Sequence, residues 1–352
     1  MTIGVVLATF NGIRFIQEQL DSIINQTVTV DEIVISDDGS ADGTFDFLID
    51  YQNKHSNKKI VIVKNPKSGI VNNFYNAILY TNSDIIFFAD QDDIWFENKI
   101  ELFLHEISHF PNCGLFFSNA DLLRYPDNTV IGTCWDWYFP NRDKLLGDNS
   151  VCGTVLNQSK LIDLLLEHGH NIVTGMCMAV KKDLLSCIAS SDCMCLHDDQ
   201  ITCYAALNSN VCAVNSSTAY YRQHDKNVVG GIKSDSKLHF QLRAKNHFDN
   251  FITSFLHFKQ LYIYNCNHRW KSIDKTYYKY YASFCLLKRR KISMIKYLIS
   301  LVIAGKYTPC LFGVKKYSWF KGLISDCLMI LFLKKKDKEA VLEKYHLTVS
   351  GV

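Results

Sequence analysis

No apolar run in this chain reaches the roughly eighteen residues that a membrane-spanning helix needs. The longest candidates are Ile295 to Ala304, interrupted by Lys296, and Cys327 to Leu333, so no bilayer crossing is expected. Cysteine pairs of the Cys-x-x-Cys kind are also missing. Thirteen cysteines are present, but Cys193 and Cys195 form only a Cys-x-Cys, and Cys310 stands near no partner. A structural zinc framework is therefore excluded. With no secretory signal ahead of the first strand, the thiols are expected to be free in a reducing cytoplasm. Charge of one sign is lacking too: a net charge of +3 is too small to point to nucleic acid, and no such partner is expected. Finally, Ala8-Thr9-Phe10-Asn11-Gly12 contains no G-x-G-x-x-G, so no glycine loop brings backbone amides onto a pyrophosphate. That excludes the usual dinucleotide fingerprint. A nucleotide diphosphate bound here would need a metal to neutralise its charge.

What is present is the composition of a folded globular protein, 48% hydrophobic and 21% charged. A length of 352 residues suits one large α/β domain with an appendage, or two domains. Short apolar runs at Ile3 to Ala8, Ile33 to Ile35, Ile60 to Val63, Ile85 to Ala89 and Leu115 to Phe117 read as buried strands. Between them, helical spacing is expected from Phe15 to Gln26, from Asp42 (whose carboxylate suits an N-cap), from Ile70 to Leu79 and from Trp95 to Ile107. Continuous apolar strands alternating with helices imply a mostly parallel central sheet covered on both faces. The pattern breaks down from Asn119 to Gly153. Order resumes with a helix from Gln158 to Glu167, a segment from Asn171 to Val180, a helix after His197 and a strand from Thr218 to Arg222. Beyond Gly231 a helical, Lys- and aromatic-rich tail is expected.

The most informative feature is Asp90-Gln91-Asp92-Asp93, directly after a buried strand. Three carboxylates in four positions repel one another unless a cation is shared among them. Hard oxygen ligands suit Mg²⁺ or Mn²⁺. The plain alternative is a solvated loop that caps the next helix with Asp93. In parallel sheets ligands bind beyond the carboxyl ends of the strands, and the other polar clusters, Thr9-Phe10-Asn11 and Asp37-Asp38, also end strands. They are expected to line one crevice.

Each remaining candidate has two readings. Asp38 could accept a hydrogen bond from a base or ribose, or could belong to a turn. An exposed Phe10 could stack on a base, or pack at the edge of the core. In His197-Asp198-Asp199, Asp198 could act as a general base or could cap a helix. His224, in Tyr221-Arg222-Gln223-His224, could be a metal ligand or a structural histidine. Gly175 could admit a sugar to the backbone or mark a bulge. Lys288-Arg289-Arg290-Lys291 and Lys334-Lys335-Lys336 flank amphipathic stretches. They fit contact with anionic lipid, or a helical appendage packed on the main domain.

Taken together, Val5 to Gly12, Ile35 to Thr44, Ala89 to Trp95, His197-Asp198-Asp199, and Tyr221 to His224 with Asn227 to Gly230 resemble the family-2 glycosyltransferases of GT-A fold, in particular their bacterial rhamnosyltransferase-like branch. The resemblance covers roughly residues 1 to 231. It implies a GT-A domain over 1–231, with a nucleotide-binding half at 1–118 and an acceptor-binding half at 119–231, and a separate helical region over 232–352. It also implies a nucleotide-sugar donor, dTDP- or UDP-linked, held by Mg²⁺ or Mn²⁺. In that scheme Ala8, Phe10, Asn11, Asp38, Asp90 and Gln91 face the nucleotide, Asp92 and His224 bind the metal, and Asp198 is the general base of an inverting transfer. The family's Glu-Asp pair reads His197-Asp198 here, which leaves Asp199 as a rival base. The Gln-x-x-Arg-Trp motif of the processive branch is absent, so transfer of a single sugar or a short unit is expected. The acceptor would be a glycan or a lipid-linked chain of bacterial surface polysaccharide, with the enzyme cytoplasmic and peripheral on the inner face of the membrane. A nucleotidyltransferase using the same acids, or a binding module without catalysis, are the alternatives.

Overall fold

The computed structural model describes residues 1–138, 153–168, 171–188, 195–224, 240–265, 269–286 and 335–344. The strands are β1 (Ile3–Thr9), β2 (Glu32–Asp37), β3 (Ile60–Lys64), β4 (Ile85–Asp90), β5 (Ile94–Trp95), β6 (Cys113–Arg124), β7 (Thr129–Thr133), β8 (Thr154–Leu156), β9 (Met178–Lys181) and β10 (Asn210–Gln223). The helices are α1 (Ile16–Ile24), α2 (Thr44–Lys54), α3 (Ile70–Leu79), α4 (Lys99–His109), α5 (Cys134–Tyr138), α6 (Gln158–His168), α7 (Lys182–Leu185), α8 (His197–Asn208), α9 (Phe240–Tyr264), α10 (Lys271–Leu286) and α11 (Lys335–Lys344).

The strands form one sheet in the order β3-β2-β1-β4-β9-β6-β10-β5, with β7 paired to β6 and β8 to β10. β1, β2, β3, β4, β6 and β10 all run one way, because β9 is antiparallel to both β4 and β6. Their carboxyl ends therefore share one edge. Val5, Leu7, Ile33, Ile35, Phe87 and Ala89 bury one face of the sheet in a core that includes Ile16, Leu20 and Ile23 of α1. Val6, Val34 and Phe88, on the alternate positions, are equally buried.

Three elements differ from the sequence reading. The helix expected at Trp95 begins at Lys99, because Ile94-Trp95 pairs with Ala219 and Tyr220 of β10. The fifth strand does not stop at Phe117. It runs to Arg124 and folds back through β7, so the stretch after Asn119 begins as a hairpin. Asp42 precedes the cap: Gly43, with φ +95°, holds that position, while Asp42 accepts hydrogen bonds from the Thr44 backbone and hydroxyl.

The chain divides into two compact units, residues 1–161 with 172–232, and residues 162–171 with 233–352. In the second unit α9 and α10 meet through Tyr262 and Tyr277, with ring centroids 4.3 Å apart, and through an Asn265–Asp274 hydrogen bond of 3.0 Å. Among the described residues no helix is long and apolar enough to cross a membrane. Among the described residues Cys113, Cys134, Cys177, Cys187, Cys195, Cys203 and Cys212 form no disulfide; Cys113, Cys134, Cys177, Cys203 and Cys212 are buried. Cys193, Cys310, Asn227 to Gly230, the basic run Lys288 to Lys291, Ile292 to Ala304, Cys327 to Leu333 and Lys334 lie outside the described residues.

Candidate active site

The crevice begins where β1 leaves the sheet. In register, Ala8 lies beside Asp90 and Thr9 beside Asp37. Ala8 is buried, whereas Phe10 is 53% exposed. Asn11 adopts φ +50°, and its side-chain carbonyl accepts a 2.8 Å hydrogen bond from Ala41 N. Gln91 reaches across from the acidic loop: its Oε1 accepts from Phe10 N at 2.9 Å, and its Nε2 donates to Phe10 O at 3.1 Å. The amide of Gln91 thus matches the polar edge of one residue and fixes the backbone of Phe10. Gly12 makes this approach feasible, since a Cβ there would stand 2.1 Å from Gln91 Oε1.

Asp37 and Asp38 divide the labour at the end of β2. Asp37 is buried and organises its own turn, accepting from Thr9 Oγ1, Gly39 N and Ser40 N. Asp38 is half-buried and anchored by the loop before α3, through Asn65 Nδ2 at 2.8 Å, Ser68 Oγ at 3.1 Å and Gly69 N at 2.9 Å. Three such donors hold the carboxylate in one orientation.

The acidic loop after β4 is built on compensating cations. Asp93 is fully buried, accepts from Arg222 N at 3.0 Å through Oδ1, and leaves Oδ2 without a partner. It therefore caps no helix. Arg222 also donates from Nε to the Asp92 carbonyl at 2.8 Å, pairs with Glu18, and lies 4.7 Å over the Phe15 ring. His224 Nε2 donates to Asp92 Oδ2 at 2.8 Å, and its ring stacks on Phe15. Burial, then the charges of Asp92 and Asp198, push Asp90 up to about 7. Lys99, a fully buried lysine at the start of α4, counters part of that repulsion.

Asp198 lies in the first turn of α8, whose amino end faces the same edge. Burial, followed by the charge of Asp199, pushes its carboxyl up to about 7, although the amides of Asp199 and Gly175 bond to it. Asp199 is only 6% exposed and accepts from Cys203 Sγ one turn further on. The two acids are thus distinguished by burial. His197 is 4% exposed and stacked against both Phe74 and Phe88, with neither ring nitrogen bonded among the described residues. Burial lowers its pKa to about 3, so the ring is neutral.

The donor set fits a small divalent cation. Asp92 and His224 already converge, supplying one hard oxygen and one imidazole, and the neighbouring acids carry repulsion that a cation would relieve. Asp38, Asp90, Asp92, Asp198 and His224 are residues singled out from sequence. Lys99, Glu18 and the Phe15 ring are not. Lys99 falls within the helix expected from Trp95 to Ile107, and nothing in its local pattern marks it as buried.

The chain matches the family model for glycosyl transferase family 2 over residues 4–189. It is 30% identical over 236 residues to the dTDP-rhamnosyl transferase RfbG of Shigella flexneri, an alignment covering 64% of this chain and 73% of that protein. It is 24% identical over 131 residues to the UDP-Glc:alpha-D-GlcNAc-diphosphoundecaprenol beta-1,3-glucosyltransferase WfgD of Escherichia coli, covering 37% of this chain and 49% of that one. The structure of TarS 1-349 from S. aureus in complex with UDP superposes with a TM-score of 0.54 at 12% identity, covering 98% of this chain and 91% of that chain. That likeness is one of fold, and the fold is GT-A.

Proposed function

This chain belongs to glycosyl transferase family 2, and on that premise we propose an inverting, metal-dependent transfer of a sugar, rhamnose or a hexose, from a dTDP- or UDP-linked donor. The acceptor is a glycan or a lipid-linked chain of bacterial surface polysaccharide. The reading is carried by one observation: the charges of Asp92 and Asp198, more than a hundred positions apart in sequence, both act on Asp90. This supports placing the group beside His224 and the group at the head of α8 in one site.

In this reading Phe10 and Asp38 receive the base, and Asp90 lies near the ribose. Asp92 and His224 would hold Mg²⁺ or Mn²⁺. A cation bound there stabilises charge growing on the leaving diphosphate. Asp198 takes the proton from the acceptor hydroxyl as that oxygen attacks the anomeric carbon from the face opposite the diphosphate, and the configuration inverts. Glycosidases need a second carboxyl to protonate the leaving oxygen; a diphosphate departs without that proton.

The test is product analysis by mass spectrometry with dTDP-rhamnose and UDP-hexoses in Mn²⁺. A nucleoside diphosphate released with the sugar transferred or hydrolysed is expected, and Asp92→Ala should reduce turnover at least about a hundredfold. Pyrophosphate released from a nucleoside triphosphate would favour a nucleotidyltransferase instead. Binding of nucleotide sugars without turnover would favour a binding module.

A further inference from the structure

Lys99 has no access to solvent, yet its hydrogen bond goes to a backbone carbonyl: Nζ donates to Met176 O at 2.7 Å, above the Trp95 ring at 4.3 Å. Burial lowers its pKa to about 8, and the ammonium persists at neutral pH. A lysine this deep in an interior is rare without a function for its charge.

The carbonyl it holds belongs to the 3₁₀ turn Gly175–Cys177, closed by a 2.8 Å hydrogen bond from Cys177 N to Thr174 O. The Gly175 amide of that turn bonds the Asp198 carboxylate. There is no slack on this side: a Cβ at Gly175 would stand 2.9 Å from His197 Nε2 and 3.5 Å from Asp198 Cβ. His197 in turn lies flat against Phe74, with ring centroids 3.9 Å apart. The turn is therefore wedged between Lys99 and the head of α8.

We propose that Lys99 is a positioning residue that holds the turn supporting Asp198. Its ammonium fixes the Met176 carbonyl, so the Gly175 amide stays where it orients Asp198. The inference rests on the proposed role of Asp198 as base. It assigns Lys99 and Gly175 a part in turnover although neither faces the donor.

The experiment follows amide hydrogen exchange across residues 172–178 in the full-length, metal-free protein and in Lys99→Met and Lys99→Arg. It is paired with hydrolysis of dTDP-rhamnose and UDP-glucose in saturating Mn²⁺. Lys99→Met is expected to speed exchange at Gly175 and Cys177 selectively and to lower kcat about 10- to 100-fold, the usual effect of losing such a support, with donor KM little changed. Lys99→Arg should recover part of both. Unaltered exchange at the turn, or exchange accelerated uniformly throughout the unit, overturns the link. If Lys99→Met does not fold, Gly175→Ala carries the test: kcat should fall about tenfold or more while dTDP and UDP affinity by calorimetry stays constant, and a wild-type kcat overturns the link. A wild-type protein that hydrolyses neither donor, yet loses protection at the turn in Lys99→Met, sinks the functional reading and leaves the link standing.

Discussion

At the residue scale the proposed chemistry turns on one carboxyl. Burial and Asp199 raise Asp198 to about 7, and a general base works only when ionised. Its activity is therefore present above that value and lost as pH falls through it. kcat/KM should decline on the acid side of about pH 7, with the limb belonging jointly to Asp90 and Asp198, whose charges are linked. Asp198→Asn should cut kcat by about 10² to 10⁴ and flatten that limb, while calorimetry with dTDP or UDP finds nucleotide affinity intact. Near-normal turnover in the Asn variant would exclude Asp198 as base. The acids were legible because charge repulsion in a short run is visible in one dimension. Their surroundings were less so: Lys99 lies beneath the site only through the three-dimensional course of α4.

Among elements, the alternation of β1 to β4 with α1 to α3 could be read directly, since each strand is a continuous apolar run. β5 could not, because two residues pair there only through the distant β10. The edge of the sheet remote from the crevice depends on Glu32. It accepts from Thr81 Oγ1 at 2.6 Å, Asn82 N at 2.9 Å, and Ser83 N and Oγ at 3.1 and 2.7 Å, and pairs with Lys59 at 2.7 Å. Burial alone would raise its pKa, but these bonds outweigh it and hold the carboxyl at about 2, against 4.5 for the free group. The stability it contributes is complete above 4.5 and is lost between 4.5 and about 2. Glu32→Gln, which turns an acceptor into a donor among donors, should cost about 2–4 kcal/mol. Urea unfolding across this range should show the variant missing the wild type's acid-labile step.

For the whole molecule, the shared edge of six co-directional strands explains why motifs scattered from residue 10 to residue 224 could be grouped before any coordinates: carboxyl ends of parallel strands converge by topology. The second unit offered no such rule, because its helical periodicity fixes neither partners nor orientation. Its basic runs give one expectation. The full chain should sediment with anionic vesicles at low salt and release as salt rises. Replacing Lys288, Arg289, Arg290 and Lys291 with serine should weaken that binding; equal sedimentation of the two proteins would assign the runs to solvent.

Arg222 also bears on how the molecule is assembled. It bonds at once to Glu18 and to the loop at Asp92 and Asp93, yet it is itself made some two hundred residues after Glu18. A nascent chain thus carries its clustered acids without the guanidinium that closes them until β10 is made. Such closure between sequence-distant segments is slow. A ribosome-bound fragment ending before β10 would present an open, self-repelling loop, in need of a counterion the finished protein builds for itself.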